Sequence, residues 1–363
     1  MNTRRTRTII IAAAILVMPA LSGAALSPTI ILGAYGQSGA GSLPPSSGAT
    51  YGGALVDTTF GVREPSGEQS YWSLSARASL LSYLVALTGW EDAEQVDLGL
   101  GVPAGPGSLI FGGGLSSSGM NQELSGSYVW PYWSGEYRLQ RGPRGFQPSI
   151  TYSGAYLWEN AGIDDRFAEN VTLKLAHAAS ARFESFALLE GAWELWLDQP
   201  LVNASGTATG ELRRDYRAVL SLGGTGFLGY ALDWSADLRG GIRSSNANLY
   251  LTSTPQLVAD SESRLIGGAN AGVTWVPNSR LSIGLLARID EEVYLNRTAL
   301  DASGLPTANA LNVAAVGGEL KVSWSTDGKL YYVLRGGASR SFANDPSFEE
   351  WALTANAGLQ YSF

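Results

Sequence analysis

The 363-residue chain contains no cysteine and a single histidine, His177. Without cysteine there is no disulfide framework, no thiolate metal site and no cysteine nucleophile. One imidazole rules out a multi-histidine metal site, and any Ser-His or Asp-His hydrolytic centre has to contain His177. Charge is scarce too, at 15% of residues against roughly 25% in soluble globular domains. Long apolar runs are missing after residue 21. The longest later stretch, Leu80 to Leu87, is broken by Ser82 and Tyr83, so no transmembrane helix is expected there.

What replaces charge is glycine and aromatic side chains: 45 Gly, 16 Tyr, 11 Trp and 10 Phe. Glycine costs a helix about 1 kcal/mol relative to alanine, whereas aromatics favour strands. The composition therefore describes many short strands and turns. The formal charge is −8, and no nucleic-acid partner is expected, because phosphate contacts need clustered Lys and Arg.

The N-terminus carries Arg4, Arg5 and Arg7, then an almost wholly apolar Ile9 to Leu21, then the small residues Ser22, Gly23 and Ala24. That is the layout of a cleaved secretory signal peptide. We expect residues 1–24 to be removed and 25–363 to form a single β-barrel domain. Losing the three arginines leaves 21 basic residues against 32 acidic ones, or −11.

Period-2 alternation dominates the rest. From 231 to 243, Leu232, Trp234, Ala236, Leu238 and Ile242 alternate with Asp233, Ser235, Asp237, Arg239 and Arg243. Residues 281–290 and 182–197 repeat the pattern. Read back from the C-terminus, strands are joined alternately by short turns (178–180, 224–229, 276–280, 326–328) and longer polar stretches (159–165, 199–212, 252–263, 297–312, 340–348). Short turns on one side and long loops on the other is the construction of outer-membrane barrels. Trp275 and Trp324 precede short turns, and Trp158 and Trp351 border long loops, as two interfacial belts require.

The last segment places Trp351, Leu353, Ala355, Ala357, Leu359, Tyr361 and Phe363 on one face. It resembles the C-terminal assembly signal of bacterial outer-membrane β-barrel proteins, with a terminal Phe and a Tyr two residues before it. The resemblance implies a porin-like superclass, residence in the outer membrane and contact with its lipid. It also implies recognition of Trp351, Leu359, Tyr361 and Phe363 by the barrel assembly machinery. The pattern predicts an all-β, transmembrane, antiparallel up-and-down barrel of about 16 strands, with 14 strands and an N-terminal extension as the alternative. Pro131 and the Gly/Ser/Pro stretch 36–48 obscure the N-terminal part.

Alternation assigns Glu184, Glu190, Glu194, Arg217, Asp233, Asp237, Arg239, Arg243, Arg288, Asp290, Lys321 and Arg335 to the lumen, where they would tune ion selectivity. Arg182 and Glu319 join them. The C-terminal arginines are expected to face an acidic set around Glu184, Glu190 and Glu194. His177 is read as a solvated turn residue, Asp301 and Asp345 as solvated loop charge. No catalytic residue, metal or cofactor is expected. The functional reading is a non-enzymatic channel, monomeric or homotrimeric, for passive diffusion of small hydrophilic solutes. The alternatives are a surface adhesin or receptor with a closed lumen and, distantly, an outer-membrane hydrolase.

Overall fold

The computed structural model describes residues 25–26, 29–40, 49–65, 70–85, 89–120, 128–159, 165–251 and 256–362. The expected signal peptide and the terminal Phe363 lie outside the described residues. The first eight long strands are β1 Thr29–Ala40, β2 Ala49–Pro65, β3 Tyr71–Val85, β4 Gly89–Ala104, β5 Gly107–Met120, β6 Tyr128–Leu139, β7 Phe146–Glu159 and β8 Arg166–Ser180. The second eight are β9 Phe183–Val202, β10 Ala208–Leu228, β11 Leu232–Ser245, β12 Arg264–Asn278, β13 Leu281–Leu300, β14 Pro306–Ser325, β15 Leu330–Ala343 and β16 Trp351–Ser362. Each pairs antiparallel with the next, and β16 returns to β1 from Trp351↔Ala40 to Ser362↔Thr29. The result is a closed sixteen-stranded up-and-down barrel, which leaves no open sheet edge.

Pro131 does not interrupt β6. It stays in register with Leu115 of β5, and the break shows on the other side, where pairing to β7 skips from Val129↔Trp158 to Tyr132↔Ala155. A proline has no N–H to give the ladder, so the gap is local.

The two ends of the barrel differ. At the turn end the connections include 105–106, 181–182, 229–231 and 279–280; Gly229, at φ 75°, supplies the left-handed residue that closes the third. The expected turn 224–229 is thus mostly strand, because β10 runs on to Leu228. At the loop end the expected loops 199–212 and 297–312 are mostly strand as well. Strands β9, β10, β13 and β14 reach 20, 21, 20 and 20 residues, about twice what a tilted membrane strand needs. Their pairing continues past register shifts at Leu195/Pro200 and Val293/Thr298, so the hairpins project from the barrel.

Side chains sort by parity. Large apolar groups stand exposed on one face of the sheet, among them Leu238 (66%), Leu334 (57%), Leu222 and Leu285. Such a surface is tenable against lipid and an aggregation hazard in water. Aromatics mark both rims of that face. Trp324 stacks on Tyr332 and Phe183 on Trp234 at the turn end, while Phe167 lies between Trp133 and Trp193 towards the loop end.

The compact apolar cluster sits at the loop end, where Tyr294, Ala299 and Leu311 pack with Val313 and Phe348. Phe348 belongs to the 3-10 turn Pro346–Phe348, which Asp345 caps. The Asp345 carboxylate accepts hydrogen bonds from Ser347 and from the backbone N–H of Leu300, fastening the last loop to the β13–β14 hairpin. Burial alone would push this carboxyl up, but those hydrogen bonds outweigh it and hold it below its ordinary value. Asp345 is therefore a structural latch rather than solvated loop charge.

Candidate functional site

The opposite, polar face carries the charges. Paired residues on neighbouring strands share a face, and the registers put all twelve predicted charged positions on this one. Arg217 lies opposite Arg243, Asp237 opposite Asn270, Asn270 opposite Arg288 and Lys321 opposite Arg335. Glu190 and Glu194 alternate with Ala192, which pairs with Arg217.

These charges are organised as local pairs. Arg217 binds Glu190, Arg335 binds Glu319 at 2.7 Å, and Arg141 from the β6–β7 connection binds Glu184 at 2.5 Å. Asp290 holds both Arg288 on its own strand and Arg239 from β11. Asn270 donates to Asp237 at 3.1 Å. Asp233 lies exposed, opposite Thr274. The expected separation of an arginine wall from an acidic wall is not what the structure shows. Glu184, Glu190 and Glu194 each have an arginine within two strands, and the C-terminal arginines have acids of their own. Register explains this, because alternate residues of adjacent strands lie close enough for opposite charges to pair.

Towards the loop end the network tightens. Asp215, whose side chain is 2% exposed, accepts from Trp196 Nε1 at 3.0 Å and Arg213 at 2.9 Å and also binds Arg243, which reaches Glu194 at 3.3 Å. Arg166 and Arg213 lie over the Trp196 ring at 4.7 and 4.6 Å. Arg264 bridges Glu262 and Glu292, each at 3.2 Å. Sequence reading missed Asp215 and Arg264, although each follows from the parity of Arg217 and Asn270. It also missed the polar-face residues Trp130 and Tyr132, because Pro131 between them hid the alternation of β6.

Two other expectations need correcting. Arg182 is in the 181–182 turn with its guanidinium over Tyr230, rather than on the polar face of a strand. His177 is on β8, since pairing with Phe146 and Ser185 extends that strand to Ser180. It faces the apolar side and stacks on Phe146 at 4.2 Å. Of the assembly-signal residues, Trp351 and Leu359 stand exposed on the apolar face of β16, and the Tyr361 backbone pairs with Leu330 and Ile30.

A cavity of about 460 Å³ opens on the polar face, bordered by Trp130 and Tyr132 on one side and by Glu194 and Arg217 on the other. Asp97 lies beside it and accepts from Tyr132, from Gln95 at 2.9 Å and from Ser75 at 3.0 Å.

No protein-family model matches this chain, and no curated sequence does. Solved structures do. An anion-selective porin from Comamonas acidovorans aligns over 94% of this chain and 100% of its own, with a TM-score of 0.51 at 10% identity. OmpT, an outer membrane protein of Vibrio cholerae, in its trimer form aligns over 94% and 99% with a TM-score of 0.49 at 10% identity. OccK8 (OprE) of Pseudomonas aeruginosa aligns over 93% and 98% with a TM-score of 0.43 at 9% identity. At such identities the likeness is one of fold, and the fold of this chain is that of a bacterial outer-membrane β-barrel of the porin-like kind.

Proposed function

We propose that the polar face lines a water-filled lumen and that the protein is an outer-membrane channel for passive diffusion of small hydrophilic solutes, with the turn end in the periplasm. One observation carries this reading. The ion pairs of the polar face run along the wall: Arg217–Glu190 and Arg335–Glu319 join adjacent strands, and Arg239–Asp290 and Arg243–Glu194 reach over one strand. Charges satisfied along the wall need no partner from across the barrel, so they do not fill its middle. Barrels of about sixteen strands are wide enough to leave such a path. The fold likeness to an anion-selective porin supports the same class.

The purified barrel added to a planar bilayer should give stepwise, ohmic current increments that scale with electrolyte conductivity. A heat-modifiable, folded protein that inserts and passes no current would overturn the reading. A second reading, a surface receptor, draws support from the packed loop end around Tyr294 and Phe348. It predicts a folded barrel that binds its partner through that end and conducts nothing.

A further inference from the structure

Resting on the channel reading, we propose that the cavity beside Trp130 is a binding subsite for a neutral, polyhydroxylated solute of mono- or disaccharide size. Its floor is made of small residues from three strands: Ala155 of β7 pairs with Ala168 of β8, and Asn170 of β8 lies between Ser153 of β7 and Ala192 of β9. Its sides are taller. Trp130, 39% exposed, and Tyr132 rise from β6, with Glu194 on β9 and Arg217 on β10 opposite. With neighbouring strands about 4.8 Å apart, such a floor spans roughly 10 to 15 Å. A volume of about 460 Å³ falls in the range of small-ligand sites.

The chemistry selects the ligand class. An indole face favours a partner that presents C–H groups to its negative π surface, and one face of a pyranose ring does so while its edge carries hydroxyls. Ser116, Ser134 and Ser153 offer hydroxyls that both donate and accept. The Asn170 amide also lines the cavity, and its Oδ1 is buried without a hydrogen-bond partner among the described residues. That acceptor costs free energy until a donor reaches it, and rotation about the soft terminal torsion of Asn turns it towards the cavity. Most formal charge around the cavity already has a partner, and Glu169, which also lines it, accepts from Tyr152 Oη at 2.7 Å. Glu194 is held by Arg243, Arg217 by Glu190, and Asp97 by three donors. An ionic ligand would have to displace those partners. Hydroxyls need only the carboxylate lone pairs that remain.

The test is calorimetric titration of the detergent-folded barrel with maltose, set beside adenosine, glutamate and lysine as probes. Maltose should bind, and the other three should bind at least about tenfold more weakly. Trp130→Ala should weaken maltose about fivefold to tenfold, Trp130→Phe should restore most of the loss, and Asn170→Leu should weaken it severalfold. Trp324→Ala, on the apolar face, should change nothing. If Trp130→Ala fails to fold, Trp130→Phe and Asn170→Leu still report on the site. No maltose binding by a barrel that conducts would overturn the subsite and leave the channel standing. Binding by a barrel that passes no current would do the reverse, and tighter binding of adenosine or of a charged probe would overturn the ligand class.

Discussion

Arg239 of β11 and Asp290 of β13 form an ion pair across the strand that separates them, and the residue between them in register is Gly268. A Cβ at Gly268 would stand 2.6 Å from Asp290 Oδ1 and 2.8 Å from Arg239 Nε. The missing side chain is what lets the two charges meet over β12. Asp290 also takes Arg288, so one carboxylate serves two guanidinium groups.

Replacing Asp290 by Asn should release both arginines. If this face meets water that carries current, the reversal potential in a salt gradient should move towards anion preference. Gly268→Val should separate Arg239 from Asp290 sterically and move selectivity in the same direction, with a stability loss of about 1–3 kcal/mol from overpacking. Unchanged selectivity in conducting Asp290→Asn channels would remove these residues from the ion path.

The buried Asp215 network should matter more for stability than for current. Removing a partner from a buried ion pair costs about 3–5 kcal/mol, and Asp215→Ala takes the buried carboxylate from Arg213 and Arg243, which keep only Gln199 and Glu194, and leaves the Trp196 N–H without its acceptor. The temperature at which the folded band converts to the unfolded band on electrophoresis should fall clearly. Glu184→Ala, which breaks a pair 38% and 39% exposed, should shift it by an amount corresponding to at most about 1 kcal/mol. Equal shifts would contradict the burial argument.

The loop latch predicts an acid response. Because the folded Asp345 carboxyl is held below its ordinary value, its contribution is fully present above the unfolded value of about 3.9 and is lost as pH falls through the folded one. Protection of the Leu300 amide from hydrogen exchange should therefore be flat from pH 7 to 5 and decline only below about pH 4. Asp345→Asn should lower protection between pH 7 and 5 and flatten the decline below it. A decline centred near pH 6 would point to another group.

Assembly offers a separate test. Deleting Phe363, or replacing Tyr361 and Phe363 with Ser, should reduce the amount of folded, outer-membrane-localised barrel, since the terminal aromatic pair carries the resemblance to the assembly signal. Wild-type amounts of heat-modifiable protein after the double change would refute that role.

Strand number and face were legible because each barrel strand is asked to be apolar on one side and polar on the other, and period 2 writes that requirement into the sequence. Where the requirement lapses, so does the signal. The ends of β9 and β10 around Pro200 and Gly210 and those of β13 and β14 around Thr298 and Thr307 project past the barrel. Beyond the barrel wall no lipid-facing row is required, and the β13–β14 ends instead bury Ala299 and Leu311 in the loop-end cluster, so these ends do not alternate and read as loops. Trp130 and Tyr132 escape notice because Pro131 between them interrupts the alternation of that candidate strand. The Arg239–Asp290 pair could not be read at all, because it depends on the register of three strands and on what stands between two of them.

The absence of cysteine allows one measurement to test the central claim with little ambiguity. Lys321 and Leu320 are consecutive on β14, the first on the polar face opposite Arg335, the second on the apolar face opposite Leu285. Each is replaced singly by Cys and exposed, during single-channel recording, to a bulky, charged, membrane-impermeant methanethiosulfonate. The account predicts that Lys321→Cys channels lose current on addition of the reagent and regain it with reductant, whereas Leu320→Cys channels are unaffected. Block of Leu320→Cys with no effect at Lys321→Cys, or neither position responding in a conducting barrel, would contradict a lumen lined by the polar face.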